Sequence, residues 1–192
     1  MSDTLLDGHG RGYQARVNSD GMQVTRAVQV TQALYATLEQ YYYEATTAQV
    51  TLTTANETGL IYILNTSNTN NMVVDRVFID IWESTGGSGS GLWRYYANPT
   101  ITGGTTVIPA NTNLGSPYAA EVTCLKSLTT MTGTAWYTGQ FLAPIGIVSD
   151  EGRLIIAPSK SFGITIQAAA GNTSMKVSIN VAFMRCNLTD VE

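Results

Sequence analysis

The chain consists largely of short stretches in which apolar and polar side chains alternate, and this two-residue period restricts its fold more than any other feature. The clearest stretch is SMKVSINVAFM, residues 174–184. Its apolar side chains fall on one predicted face: Met175, Val177, Ile179, Val181 and Phe183. Because successive side chains of a β-strand point to opposite faces, this stretch is predicted to be a strand with one face in the core.

Two further stretches extend the pattern. The apolar face of VVDRVFIDIWE is predicted to contain Val73, Val77, Ile79 and Ile81. Strand geometry then places Asp75 and Asp80 of the same stretch on opposite faces. LIYILN, residues 60–65, is apolar on both faces, and such a strand is expected to lie between two layers.

The remaining apolar stretches are short and are bounded by Gly, Pro, Asn or Asp, which favour turns. Together they predict about eight to ten strands. No helical pattern of 10–15 residues separates them, which argues against parallel βαβ units. The predicted fold is therefore an all-β, antiparallel β-sandwich of jelly-roll type, in which two sheets pack on each other.

The N-terminal region differs from the rest of the chain. Residues 1–30 are polar, rich in Gly and poor in aliphatic side chains, which predicts an extended arm. Residues 31–192 are then the sandwich domain. Residues 31–45 combine a helical spacing of Leu with Thr and Tyr that prefer strand, so either a short helix or an extended lead-in is expected.

Charge and composition exclude several classes of protein. Only 12% of the residues are charged, the net charge is −4, and there is no run of Lys or Arg. We therefore expect no binding to nucleic acid. No window approaches the ~20 apolar residues of a membrane span. Asp3 and Asp7 stand where a signal peptide would carry positive charge, so synthesis in the cytoplasm without membrane attachment is expected.

The Gly/Ser stretch GGSGSG, residues 86–91, is the segment that most resembles a phosphate-binding loop. Gly86 and Gly91 have the required spacing, but Leu92 and Trp93 follow where such a loop needs Lys and then Ser or Thr. Neither the charge for phosphate nor the hydroxyl for magnesium is present. The stretch is predicted to be the tip of a hairpin.

Groups for catalysis or metal binding are few. His9 is the only histidine and falls in the predicted arm. It can act as the general base for a Ser or Cys nucleophile only if the arm enters a cleft. Cys124 and Cys186 each adjoin an apolar run and are predicted to be buried, reduced thiols, with a disulfide between them as the alternative. No catalytic residue, metal site or cofactor is predicted, and the chain is not expected to be an enzyme.

Aromatic side chains are more informative. Tyr41, Tyr42 and Tyr43 are consecutive, and Trp93, Tyr95 and Tyr96 crowd one predicted strand. Neighbours in a strand point in opposite directions, so these clusters are not expected to be buried completely in a sheet. Packing within the subunit, a protein interface and a platform for sugars all remain open.

Four segments resemble small virion proteins of tailed bacteriophages in their order and in the character of their residues: GYQARVNSDGMQVTRAV, YYYEATTAQVTLTTANETGLIYILN, VVDRVFIDIWESTGG and SMKVSINVAFM. The chain is similar in particular to head decoration, or cement, proteins that form jelly-roll trimers. That resemblance implies a non-enzymatic protein made in the host cytoplasm, located on the capsid exterior of the virion, that binds the major capsid protein as a homotrimer. The resemblance transfers no functional residues. The residues predicted to bind a partner are Arg11, Tyr13, Arg16, Tyr41, Tyr42, Tyr43, Trp93, Tyr95 and Tyr96.

Two alternatives belong to other classes. A carbohydrate- or receptor-binding jelly-roll module of a phage tail would display Trp93, Tyr95 or Tyr96 as an exposed platform. A glycan hydrolase would need two carboxylates that converge across a groove at roughly 5 to 9.5 Å, which the strand assignment does not provide.

Overall fold

The computed structural model describes residues 16–17, 23–24, 32–52, 56–85, 89–142, 145–172 and 174–186. The chain divides into two compact units, Met1–Thr31 and Gln32–Glu192. In the first unit, strands β1 (Arg16–Val17) and β2 (Gln23–Val24) pair antiparallel, with Arg16 opposite Val24. The rest of the predicted arm lies outside the described residues.

The second unit begins with a helix. The short helix expected ahead of the tyrosines is present as α1 (Gln32–Leu38). It ends because Gln40 adopts a left-handed backbone conformation, with φ of 66°, from which the helix cannot continue. The amide of Tyr41 then donates to the carbonyl of Ala36 at 2.8 Å, and the chain continues as a strand.

Twelve strands follow in the described part of this unit, more than the eight to ten predicted, because two of them are only two or three residues long. They are β3 (Tyr42–Thr46), β4 (Val50–Leu52), β5 (Thr58–Asn65), β6 (Asn71–Thr85), β7 (Ser90–Ala97), β8 (Thr100–Val107), β9 (Ala110–Asn111), β10 (Val122–Thr132), β11 (Ala135–Leu142), β12 (Ile145–Ile156), β13 (Ser161–Ala168) and β14 (Ser174–Cys186).

The strands form two sheets. The first has the order β11-β7-β13-β5-β10-β8, and the second has the order β12-β6-β14-β3-β9, with β4 paired to β14. Every strand pairing in the described residues is antiparallel. The prediction of an all-β, antiparallel sandwich is therefore confirmed.

The pairing is nested around the middle of the chain. β3 pairs with β14, β5 with β13, β6 with β12, and β7 with β11. Residues 98–134 lie between the two strands of the innermost pair, and we call them the insertion. The insertion adds β10 and β8 to the first sheet and β9 to the second.

The core lies between the inner faces of the two sheets. The face predicted for β14 is confirmed, because all five apolar side chains named for it are buried in this core. Facing side chains from the first sheet include Ile61, Ile63, Ile164 and Ile166, each less than 1% exposed. Burial of a large aliphatic side chain contributes roughly 1.5–3 kcal/mol, so this layer is the main source of stability.

A bulge in β6 alters the predicted faces. The register with β14 shifts between Ala182, which is opposite Arg76, and Phe183, which is opposite Val74. Val74 and Val77 both enter the core, so Asp75 and Arg76 both face outward. The predicted core position of Val73 is therefore wrong, since Val73 packs on the outer face with Tyr42. The prediction that Asp75 and Asp80 lie on opposite faces is wrong for the same reason.

The environment of β5 also differs from the prediction. Leu60, Ile61 and Ile63 are buried in the core, but the sandwich has two layers and the other face of β5 lies on its outside. On that outer face Tyr62 is half-buried against a cluster that contains Leu128. Side chains of neighbouring strands, rather than a third layer, cover the second apolar face.

The Gly/Ser stretch is not a hairpin tip. β6, which precedes it, belongs to the second sheet, and β7, which follows it, belongs to the first. Residues 86–88 lie outside the described residues. A connection of four residues is long enough to cross the ~10 Å between packed sheets.

Candidate functional site

The tyrosine triplet is placed on both faces of β3. Tyr43 is buried in the core, where its ring stacks on Phe183 at 5.8 Å between centroids. Tyr42 is buried on the outer face in a cluster with Ala36 of α1, and its hydroxyl donates to Asp75 at 2.6 Å. The helix covers the outer face, which is why neighbours that point in opposite directions are both buried. Half-buried Tyr41 stacks under the guanidinium of Arg185 at 4.5 Å.

The second predicted aromatic cluster is also buried. Trp93 and Tyr95 lie on the inner face of β7, with ring centroids 4.8 Å apart, and Tyr95 meets Phe162 edge to face. Tyr96 lies on the outer face, where it packs against Leu128. The expectation that these rings could not all be buried is wrong, because the opposite sheet covers one face and side chains of the same sheet cover the other. Direct partner contacts of all nine predicted residues stay a prediction.

Of the three predicted arm residues, only one lies among the described residues. Arg11 and Tyr13 lie outside the described residues. Arg16 begins β1, and only its backbone is described.

Two exposed rings that sequence reasoning missed lie on β11. Trp136 and Tyr137 are each 49% exposed, and we call them the aromatic edge because β11 ends the first sheet. The pairing of β11 with β7 shifts between Ala135 and Tyr137, so Trp136 is an extra residue in the strand. Both exposed rings consequently contact Tyr95, at 5.6 and 6.0 Å between centroids. The adjacent aromatic residues Trp136 and Tyr137, which follow shortly after the turn-forming Gly133, were the available signal.

The insertion carries the most exposed apolar side chains. Ile108 is 87% exposed, Leu114 is 95% exposed and Tyr118 is more than half exposed. We call residues 108–121, which contain them, the insertion tip. Large apolar side chains in PANTNLGSPY, a stretch otherwise rich in turn-forming residues, were the sequence signal for this surface.

Hydrogen bonds hold the insertion tip in place. The side-chain amide of Asn111 donates to the carbonyl of Gln40 at 2.8 Å, and the backbone amide of Thr112 donates to the carbonyl of Tyr42 at 3.0 Å. The backbone amide of Asn113 donates to the side chain of Asn111 at 2.9 Å, which closes an Asx turn. The exposed side chains therefore project from a supported backbone.

Helix α1 adds further apolar surface beside the tip. The side-chain amide of Asn113 donates to the carbonyl of Thr37 at 3.4 Å, so the tip and the end of α1 are in contact. Leu38 and Leu114 directly follow these two residues in the chain, and both are exposed. Leu34, one turn earlier in α1, is also exposed. Five large apolar side chains thus lie on the tip and the adjoining helix.

A charged network lies on the outer face of the first sheet, and we call it the outer-face network. Glu57 accepts hydrogen bonds from the hydroxyl of Tyr96 at 2.6 Å and from the hydroxyl of Thr165. Nη1 of Arg94 lies 3.0 Å from the Glu57 carboxylate and also donates to Oε1 of Gln167 at 3.1 Å. Both charges are therefore compensated.

The network changes the ionisation of its members. Burial opposes ionisation of Glu57, but the hydrogen bonds from Thr165 and Tyr96 and the charge of Arg94 outweigh it and lower its pKa. Burial and the hydrogen bond to Glu57 raise the pKa of Tyr96. The carboxylate is accordingly held ionised at neutral pH, where it accepts hydrogen bonds and does not act as an acid.

Reactive groups are dispersed in the described part of the chain. Cys124 is buried and Cys186 is half-buried, and both are free thiols. The described residues contain no group of three or more His, Cys, Asp or Glu side chains that could hold a metal ion. No helix among them is long and apolar enough to cross a membrane. The exposed apolar surface of the insertion tip and α1 is therefore the leading candidate site.

Comparisons with known proteins do not assign this chain to a family. No family model matches it, and no curated protein is significantly similar to it in sequence.

Proposed function

We propose that this protein is a non-enzymatic structural protein of a virion, a decoration or cement protein that binds the outside of a phage head. The observation that carries the proposal is the apolar surface of the insertion tip and α1, which a hydrogen-bonded backbone holds in solvent. A surface that carries several large exposed apolar side chains is typical of a protein interaction site. The low charge of the chain agrees with a partner other than nucleic acid.

The finer fold that we propose is a jelly roll. Without the insertion and β4, the eight remaining strands of the second unit form four nested antiparallel pairs that are shared between two sheets. This is the arrangement of one long hairpin wrapped into a double sheet, and it supports the jelly-roll assignment. The insertion is then an addition to the fold at the connection between β7 and β11, where a partner-specific surface can be added without disturbing the core.

The partner is a protein surface, namely the major capsid protein. Fully exposed aliphatic side chains such as Ile108 and Leu114 gain on the order of 1.5–3 kcal/mol each when a partner buries them. Because the tip is already ordered by hydrogen bonds, little conformational entropy is lost on binding. A few such anchors are sufficient to dominate the affinity of an interface.

Two separate surfaces favour assembly as a ring of subunits, and the ring that we propose is a homotrimer. The aromatic edge lies on β11, which ends one side of the first sheet, and the insertion forms its other side through β10 and β8. A ring of subunits needs two different surfaces that meet, whereas a twofold dimer needs only one that meets itself. Contact between these two edges of neighbouring subunits would close such a ring.

Co-sedimentation with empty phage heads that lack their decoration protein tests this function. Saturable binding is expected for the full chain, and the double variant Ile108→Ser with Leu114→Ser is expected to bind at least tenfold more weakly. Ile155→Ser is the matched control, because Ile155 is also exposed but lies on β12. Equal binding of the double variant, or no binding of the full chain to any head, would contradict the proposal.

Light scattering tests the oligomeric state separately. A trimer has three times the subunit mass of 20.6 kDa. A monodisperse monomer at micromolar concentration would exclude the trimer, while binding of that monomer to heads would still support the capsid role.

A further inference from the structure

An open groove of about 390 Å³ lies at the end of the first sheet where β7 begins and β11 and β13 end. Its volume is within the range of small-molecule sites. The residues that line it include Leu92, Gln140, Phe141, Gln167, Ala169 and Ala170.

Two of the lining residues, Gly91 and Phe141, pack closely against each other. A Cβ atom at Gly91 would lie 2.4 Å from Cζ of Phe141 and 2.3 Å from the carbonyl oxygen of Gln167. Only glycine allows this approach, so the ring of Phe141 lies directly against the strand. The side chains of Leu92 and Ala169 add apolar surface to the same depression.

The polar groups of the groove are amides. Gln140 is exposed, and its side chain makes no hydrogen bond within the described part of the chain. Gln167 is oriented by Arg94, whose guanidinium donates to Oε1 of Gln167 at 3.1 Å. Arg94 is itself paired with Glu57 at 3.0 Å, so its charge is already compensated. None of the described lining residues is ionisable.

This chemistry selects among classes of ligand. An anionic ligand finds no uncompensated positive charge among the described lining residues. A purely apolar ligand would remove the amide of Gln140 from water without giving it a partner, which is unfavourable. An extended peptide cannot pair with the backbone of β7, because β7 is already paired with β11 on one side and with β13 on the other.

We infer that this groove binds an uncharged glycan. A sugar ring combines hydroxyl groups, which both donate to and accept from an amide, with apolar C–H faces that pack on the Leu and Ala side chains. The groove lies near the β11 edge of the first sheet, whereas the insertion tip follows β8 at its other edge. One subunit could therefore hold a protein partner at the tip and leave the groove open to a glycan.

The test is calorimetry together with saturation-transfer NMR on the full chain. The probes are uncharged tri- and tetrasaccharides of glucose, galactose, mannose or N-acetylglucosamine, with sulfated and sialylated oligosaccharides and uncharged tetrapeptides for comparison. At least one neutral oligosaccharide is expected to bind saturably, with a dissociation constant in the millimolar range or below. If none binds, or if sulfated compounds or peptides bind more tightly than every neutral oligosaccharide, the inference is wrong.

Two variants locate the site. Gln140→Ala is expected to weaken binding about fivefold through loss of a hydrogen bond, and Ala170→Trp is expected to weaken it more than 20-fold by filling the groove. The matched controls are Gln49→Ala and Ala157→Trp, which change exposed residues elsewhere. Binding that Ala170→Trp leaves unchanged would overturn the assignment to this groove. All four positions lie outside the insertion tip, so failure here is distinguishable from failure of the capsid role.

Discussion

The substitution Glu57→Gln tests the outer-face network most directly. The Glu57 carboxylate accepts from the hydroxyls of Tyr96 and Thr165 and lies 3.0 Å from Nη1 of Arg94. The glutamine amide has the same shape and keeps one acceptor oxygen. Its NH₂ group replaces the second oxygen and cannot accept a hydrogen bond from a neighbouring donor. One donor therefore loses its acceptor, and the charge of Arg94 loses its compensation.

The size of the effect follows from the exposure of the groups. A hydrogen bond to a charged group contributes about 1.5–3 kcal/mol when it is buried. The side chains of Arg94 and Glu57 are 21% and 32% exposed, so water screens part of this interaction. We expect Glu57→Gln to lower the free energy of unfolding by about 2 kcal/mol in total. At about 2–4 °C per kcal/mol, the melting temperature falls by roughly 4–8 °C.

The loss should depend on pH. Because folding lowers the pKa of Glu57 from its ordinary value of 4.5, the unfolded state binds more protons at this carboxyl than the native state does. The stabilisation is therefore complete above the ordinary value and is lost as the pH falls through the folded value. The difference between wild type and Glu57→Gln should shrink toward zero once the wild-type carboxyl is protonated.

Urea denaturation at pH 7 and at several acidic values measures this difference. Glu39→Gln is the control, because it also removes one carboxylate but from an exposed residue of the described chain. The reasoning is refuted if Glu57→Gln costs less than about 0.5 kcal/mol at pH 7. It is also refuted if the cost is the same at every pH, or if Glu39→Gln has an equal effect.

Two further predictions concern packing and reactivity. Gly139→Ala should destabilise the protein by about 1–3 kcal/mol, because the added Cβ would lie 2.3 Å from the indole of Trp93. Gly115→Ala is the control and should change stability by less than about 0.5 kcal/mol, since no other atom lies within 4 Å of its added Cβ. Equal melting temperatures of the two variants would contradict this. Burial raises the pKa of Cys124 to about 12. A thiol reagent should therefore modify half-buried Cys186 first and Cys124 only on unfolding. Simultaneous modification of both cysteines in the native protein would disprove this prediction.

The candidate site was only partly predictable. Trp93 and Tyr95 were selected because large aromatic side chains are frequent at interfaces, yet both are buried. These two rings are covered by the second sheet, most of whose strands are distant from β7 in the chain. Trp136 is exposed because it is the extra residue of a bulge on an edge strand. Neither bulge nor edge position can be read from a two-residue period.

The faces of β6 also show that alternation alone cannot predict a bulge. A strict alternation places Val73 with Val77, but the bulge near Asp75 moves Val73 to the outer face and brings Val74 into the core. One extra residue reverses the assignment of every side chain on one side of it. The five apolar side chains of β14 were assigned correctly because each falls within the alternation and faces the opposite sheet.

The sequence by itself determined that most of the second unit forms β-strands separated by turns, because alternation, β-branched side chains and turn residues act over only a few neighbours. It also determined an antiparallel class of fold and a surface with little charge. Only the tertiary structure decided which strands pair, as when Tyr43 meets Phe183 across 140 residues of chain. It likewise decided which faces are covered and that the insertion tip displays Ile108 and Leu114. These depend on contacts between distant segments, whose energies no local pattern contains.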